Sequence, residues 1–368
     1  MAEMRKHGPI LLCAGGTGGH LFPAEALAEA LARRGQKVVL VTDTRIASSE
    51  WVSRFPGDIH TITAGTVTGA GVFARLRGVA RLVLGLKQAM ALLGEIQPSL
   101  VVGFGGYPTV PPLLAAKLRR IPTLIHEANA VMGRANRFLA PRVEAIATGF
   151  PVDMGGFAHK TVFTGNPVRR PVLLAAAEPY TRPEITKPFR LLVFGGSQGA
   201  RVMSDVVPGA MQHIPDSLRR RLHIIQQARE EDLPRVEKFY TALGITHDVK
   251  PFFADLPYRI AASHLVIARA GAMTVSELAV IGRPGILVPL PGALDQDQAM
   301  NAAVLTGLNA AISLPQNAFT PVSLADILVR LADAPERLCS MAEAARKAAM
   351  PDAAEKLADH ALSMPGEG

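Results

Sequence analysis

The residues best suited to chemistry in this 368-residue chain stand in short clusters at the ends of apolar runs. Gly15-Gly16-Thr17-Gly18-Gly19-His20 follows the apolar residues 10–14 and opens a helical pattern. Glycines let the backbone approach a ligand, and a helix N-terminus offers unpaired N–H groups with partial positive charge. A phosphate is the natural guest of such a turn. His20 closes the turn and is a candidate general base, because a neutral imidazole accepts a hydroxyl proton near physiological pH. Residue type alone favours a plainer role, packing or capping the turn.

The pattern recurs. Gly195-Gly196-Ser197-Gln198-Gly199 follows the apolar residues 191–194, and Gly103-Phe104-Gly105-Gly106-Tyr107-Pro108 is another backbone-exposing turn. His126-Glu127-Ala128-Asn129 gathers three polar side chains at a strand end, and Glu127 is a second candidate for proton transfer. Residues 269–277 form a strand–turn–helix signal in which Thr274-x-x-Glu277 fits a capping box, a reading that makes Glu277 structural. Asp295-x-Asp297 lacks the further ligands a metal would need and reads as a solvated loop. No Gly-Lys-(Ser/Thr) ending is present, which excludes a Walker-type phosphate loop. The dinucleotide fingerprint is partial: Leu21 occupies the third glycine's place, while Asp43 could serve as the ribose-binding acid of a nicotinamide oxidoreductase.

Continuous apolar strands must position these clusters. Strands are expected at residues 9–14, 37–42, 100–103, 123–126, 191–194, 222–226, 264–268 and 285–289. Helices are expected at 23–34, 72–93, 134–139, 274–281 and 299–307. Such alternation implies α/β architecture with parallel sheets covered on both faces. The repeated turn and the length imply two doubly wound Rossmann-like domains, with Pro167, Pro171, Pro179, Pro183 and Pro188 marking the join and a ligand expected in the cleft. Apolar residues make up 49% and charged residues 19%, which excludes extended disorder. Only two cysteines are present, far apart, so a reducing compartment is expected. The apolar run at 10–14 is too short for a signal peptide, and no stretch of about 18 apolar residues predicts a span. The chain reads as soluble or peripheral.

Taken in order, residues 15–20, 103–108, 126–129, 165–169, 195–200 and 270–277 resemble the MurG family, which makes lipid II from lipid I in bacterial peptidoglycan synthesis. The resemblance covers nearly the whole chain. It implies a GT-B fold with two parallel sheets facing a central cleft, an inverting mechanism, and no cofactor or essential metal. The implied domains are 1–165 for the acceptor and membrane, 166–350 for UDP-GlcNAc, and 351–368 as a helix returning to the first. The implied partners are the UDP-GlcNAc donor, the undecaprenyl-pyrophosphoryl-MurNAc-pentapeptide acceptor (lipid I) and an anionic membrane surface at the cytoplasmic face of the cell membrane.

Carried over by motif, Ser197 matches the phosphate-contacting turn and Phe253 the backbone that meets the uracil. Ala272, Met273, Thr274, Val275 and Ser276 match the loop and helix start beside the diphosphate and sugar. Glu277 matches the carboxylate on the ribose hydroxyls, Gln298 the glutamine that reads the sugar, and Arg169 a donor-binding arginine. Thr17, Gly18, Gly19 and Asn129 are implied contacts to donor and acceptor, and His20 the base. The sequence departs from the family where Ala128 replaces a glutamine common in His-Glu-Gln-Asn and where Asp297 precedes Gln298 in place of a second glutamine.

The net charge of +8 predicts an anionic partner. Between residues 59 and 126 stand seven cations (Arg75, Arg77, Arg81, Lys87, Lys117, Arg119, Arg120) and one carboxylate, Glu95. Val72, Phe73, Arg75, Leu76, Arg77 and Arg81 are the candidate membrane contacts, because apolar residues flanked by arginine suit anionic lipid. A partly buried helix with solvated arginines fits the same pattern. Nucleic acid is not expected: the cations are not interleaved with aromatics, and there is one Trp. Alternatives that keep the two-domain architecture are a glycosyltransferase with another acceptor or a UDP-GlcNAc 2-epimerase.

Overall fold

The structure, a computed structural model, describes residues 8–15, 17–43, 55–63, 72–196, 199–292 and 297–364, without the side chains of 72–77 and 79. It divides into two compact units, Met1–Arg169 with Pro351–Gly368, and Arg170–Met350.

The first unit carries a seven-stranded parallel sheet. Its strands are β1 (Ile10–Cys13), β2 (Val38–Thr42), β3 (Asp58–Thr61), β4 (Leu100–Gly103), β5 (Thr123–Glu127), β6 (Ala145–Thr148) and β7 (Thr161–Phe163). The order is β3-β2-β1-β4-β5-β6-β7. In the second unit β8 (Phe189–Phe194), β9 (Leu222–Gln227), β10 (Thr246–Lys250), β11 (Leu265–Ala268), β12 (Gly285–Leu287) and β13 (Ala311–Ser313) run in the order β10-β9-β8-β11-β12-β13. Every pairing in both sheets is parallel. Interior strands such as Ile-Leu-Leu-Cys of β1 are buried at every residue because helices cover both faces of the sheet.

Strand order reverses between β1 and β4 in one unit and between β8 and β11 in the other. Connections leave these adjacent strands in opposite directions, so the backbone opens a crevice at their carboxyl ends, where doubly wound sheets take ligands. The turns at 14–20 and 103–108 follow β1 and β4; those at 195–200 and 269–271 follow β8 and β11. These four clusters thus stand at the two reversal points, while the 126–129 cluster follows β5, next to β4.

Several elements differ from expectation. The first helix spans Gly18–Arg33, with Pro23 inside it, rather than starting at Pro23. Proline favours a helix's first position, yet here the glycines and His20 already form the first turn, and Pro23 leaves the Gly19 carbonyl without its helical partner. Strands β3, β6, β7, β10 and β13 go beyond those expected. Four are sheet edges or short polar strands, and β6 (Ala-Ile-Ala-Thr) is buried but too alanine-rich to show a strand pattern.

The last helix, Ala353–Ser363, lies in the first unit's core, where Leu357 and Ala358 are fully buried beside Leu27 and Leu31. Glu355 pairs with Arg33 at 2.6 Å and Arg34 at 2.7 Å. These exposed pairs add little beside the burial of Leu357.

Candidate functional site

In the first unit the imidazole of His20 fills a slot between backbone turns. A Cβ at Gly15 would lie 3.2 Å from the ring, and one at Gly105 or Gly106 3.3 Å from it. Gly105 and Gly106 hold φ of +87° and +79°, so the turn after β4 needs glycine for conformation as well as for space. Burial lowers the His20 pKa below its ordinary value, against support for the proton from the Phe104 backbone. Its Nδ1 is buried without a hydrogen bond of regular geometry. A ring held neutral keeps one nitrogen as a lone-pair acceptor.

Beneath it lies His126, fully buried with its Nε2 3.2 Å from the Gly165 carbonyl. Burial pulls its pKa down to about 4; the Gly165 carbonyl opposes and the charge of His20 adds to the shift. Glu127 is buried too, and burial raises its pKa. Four donors hold its two oxygens. The backbone N–H of Asn129 (3.0 Å) and its Nδ2 (3.1 Å) reach Oε1, while the Gly133 N–H (2.9 Å) and Asn136 Nδ2 (2.8 Å) reach Oε2. A carboxylate so engaged organises the loop between β5 and helix Arg134–Leu139, which does not favour it as a base. Asn129 is half-buried and its side-chain amide is one of those donors. Arg169 closes this unit with its guanidinium 3.7 Å above the Phe22 ring.

In the second unit the turn after β8 folds back so tightly that a Cβ at Gly195 would lie 2.2 Å from the Ala200 nitrogen. Helix Arg201–Ala210 begins there with no side-chain cap. Two turn amides are committed internally: the Gly195 N–H to Gln227 Oε1 at 3.0 Å and the Gly199 N–H to the Gly196 carbonyl at 3.1 Å. Ser197 lies outside the described residues, as do the side chains of Val72, Phe73, Arg75, Leu76 and Arg77. Arg81 is described, and is exposed.

Helix Ala272–Ile281 starts at an uncapped Gly271, so Thr274 and Glu277 both lie within it and form no capping box. The cap falls three residues before the expected threonine because Gly271 already has the extended conformation of a cap residue. Ala272, Met273, Val275, Ser276 and Glu277 are buried and Thr274 half-buried. Arg269 ties this turn to the next, donating to the Val288 and Pro289 carbonyls at 3.1 Å each. Asn301 donates to the Ala270 carbonyl at 3.2 Å. Gln298 Oε1 accepts the Leu290 N–H at 3.0 Å. Phe253 is buried, with the Arg259 guanidinium 4.3 Å over its ring.

The first unit thus gathers Thr17, Gly18, Gly19, His20, Glu127 and Asn129 around one reversal point. The second gathers the uncapped starts of two helices with Glu277 and Gln298 around the other. Asn136 and Gln227 carry no signal in the sequence, which shows no partner for a lone amide. Among the described residues, no group of three His, Cys, Asp or Glu is placed to hold a metal ion.

Sequence comparison matches residues 10–148 to the Glycosyltransferase family 28 N-terminal domain and residues 190–357 to the Glycosyltransferase family 28 C-terminal domain. A relative from Methylorubrum extorquens (strain PA1), named UDP-N-acetylglucosamine--N-acetylmuramyl-(pentapeptide) pyrophosphoryl-undecaprenol N-acetylglucosamine transferase, is 55% identical over 355 residues, 95% of each chain. One of the same name from Rhodopseudomonas palustris (strain BisA53) is 53% identical over 361 residues, covering 97% of this chain and 96% of its own. The crystal structure of Acinetobacter baumannii MurG superposes with a TM-score of 0.78 at 28% identity, covering 97% of this chain and 100% of that one. A UDP-GlcNAc 2-epimerase from Neisseria meningitidis, at 13% identity and a TM-score of 0.68, shares the fold.

The buried rings predict a pH dependence. An unfolded histidine takes up a proton as pH falls through 6.5, whereas His126 and, in the second unit, His264 stay neutral to about 4. The unfolded state therefore binds more protons between these values, and stability falls with pH by about 1.4 kcal/mol per unit for each ring. Chemical denaturation at pH 7 and pH 5 should show a lower midpoint at pH 5; equal midpoints would contradict the assignment.

Proposed function

The chain belongs to glycosyltransferase family 28, and from that membership we infer that it moves N-acetylglucosamine from UDP-GlcNAc to the 4-hydroxyl of the N-acetylmuramyl unit of lipid I, giving lipid II for peptidoglycan. The observation that carries this reading is 55% identity across 95% of both chains to a transferase of that name. In the reaction the acceptor oxygen bonds to the anomeric carbon from the face opposite the leaving group. The bond from that carbon to the diphosphate oxygen breaks with its electron pair, and UDP departs.

His20 takes the hydroxyl proton. Its ring is neutral, so the lone pair is available at physiological pH, and the glycine walls fix the ring's plane. Glu127 positions the Asn129 loop. Thr17, Gly18, Gly19, Asn129 and Arg169 are the first unit's ligand contacts. The uncapped starts of helices Arg201–Ala210 and Ala272–Ile281 stabilise the charge that grows on the diphosphate. Ser197 belongs to the phosphate turn, the Phe253 backbone meets the uracil, Glu277 the ribose hydroxyls and Gln298 the sugar.

We also propose that the first unit docks peripherally on anionic lipid at the cytoplasmic face of the cell membrane, where a lipid-linked acceptor resides. On helix Val72–Ile96, Val83 and Leu84 are each 48% exposed, flanked by exposed Arg81 and Lys87. On the adjoining helix Val110–Leu118, Leu118 is 68% exposed between Lys117 and Arg119. Among the described residues no helix is long and apolar enough to cross a membrane.

Two experiments test these readings. UDP should be released from UDP-GlcNAc only when a lipid I analogue in detergent is added, with a disaccharide product, and His20→Ala should lower kcat by about a hundredfold or more while changing KM for UDP-GlcNAc little. No lipid-dependent release from protein that binds UDP-GlcNAc would sink the acceptor assignment, and equal loss in kcat and donor affinity would make His20 a binding residue. In sedimentation with vesicles, Leu84→Asp should weaken binding to phosphatidylglycerol-containing bilayers severalfold; unaltered binding would remove the docking surface.

A further inference from the structure

Gln227 is the last residue of β9, which lies between β10 and β8. Its neighbour Gln226 points to the other face of the sheet, where its Oε1 accepts the Tyr240 hydroxyl within the core. Gln227 itself is 5% exposed and reaches sideways to both flanking strands' loops. Its Oε1 accepts the Gly195 N–H at 3.0 Å, and its Nε2 donates to the Pro251 carbonyl at 3.1 Å. One partner is a donor and the other an acceptor, so a neutral carboxamide fits both, whereas a carboxylate of the same length satisfies only the first.

Gly195 opens the turn to which the diphosphate is assigned, and Pro251 stands two residues before Phe253, whose backbone is assigned to the uracil. A single side chain therefore spans the two loops that would hold opposite ends of UDP. Resting on that donor reading, we infer that Gln227 is a positioning residue that sets the spacing between the phosphate turn and the base loop, and thereby the affinity for the nucleoside diphosphate. It does not touch the ligand. The Gly195 amide it occupies is withdrawn from phosphate binding, so its contribution is geometric.

The test is Gln227→Met in the full chain, which keeps the length of the side chain and removes both hydrogen bonds. Both bonds are present with and without ligand, so only part of their combined worth is lost from binding, and about a tenfold loss is expected. The Kd for UDP by calorimetry and the KM for UDP-GlcNAc should each rise about tenfold, with kcat and the KM for a lipid I analogue within about twofold of the parent. A variant that loses thermal stability but binds UDP within twofold of the parent would make Gln227 merely structural and overturn the inference. Should Gln227→Met fail to fold, Gln227→Glu, which retains the acceptor for Gly195 and sets a carboxylate against the Pro251 carbonyl, must also weaken UDP at least threefold; unchanged affinity overturns the inference equally. A parent chain that does not bind UDP would overturn the donor reading itself, and this inference with it.

Discussion

A parallel strand that runs directly into a helix leaves the helix's first amides without partners, and the other features of both units follow from where those amides stand. In the second unit the chain leaves β8 and enters helix Arg201–Ala210 with no side chain capping its first turn. The same holds at Gly271 after β11. Both openings fall beside the reversal of strand order, the one place where neighbouring connections do not cover the carboxyl edge. Capping these amides would need polar side chains at the turns themselves. The chain instead spends its side chains one layer back, where Arg269, Asn301 and Gln227 fasten the turns to one another.

The first unit meets a different requirement with the same architecture. Its amides at Gly18 and Gly19 open a helix as well, but the third residue of that helix is a histidine whose ring is walled by Gly15, Gly105 and Gly106. Apolar packing around an imidazole disfavours its charged form. His126 beneath it is neutral for the same reason, and the two rings would repel if both were protonated. Glu127, next to His126 in sequence, is held by four N–H donors from its own loop and the helix that follows it. The arrangement leaves His20 able to accept a proton.

Much of this was legible in the sequence because glycine, histidine and continuous apolar runs carry their geometry with them. The turns at 15–20, 103–108 and 195–199 are legible as tight strand-end turns, because glycine clusters where the backbone must bend sharply after a buried strand. Other features depend on partners distant in sequence. Gln227 is a polar residue at a strand end until β8 and β10 are set on either side of it. The pair Thr274 and Glu277 has capping spacing, yet Gly271 takes the cap, a choice made by how β11 delivers the chain. Pro23 signals a helix start and is found inside one, since the preceding glycines can adopt the first turn. The edge strands are short and polar because one flank faces no neighbour, which erases the apolar pattern that reveals a strand.

The chain's end bears on its beginning in a way no local pattern conveys. Helix Ala353–Ser363 buries Leu357, Ala358 and Ala361 in a core otherwise built from residues 10–147. Residues 170–350 are therefore an insertion into the first unit, although their own sheet and core are self-contained. The pairing of Arg33 and Arg34 with Glu355 is too exposed to explain this return energetically. The apolar face of the last helix explains it: left in solvent, Leu357 would forfeit about 1.5–3 kcal/mol of burial, and the face of helix Gly18–Arg33 would lose its cover. That first helix carries His20 in its opening turn. The placement of the imidazole thus rests on two supports, the glycine turns that wall it and a segment more than three hundred residues downstream that covers the helix on which it stands.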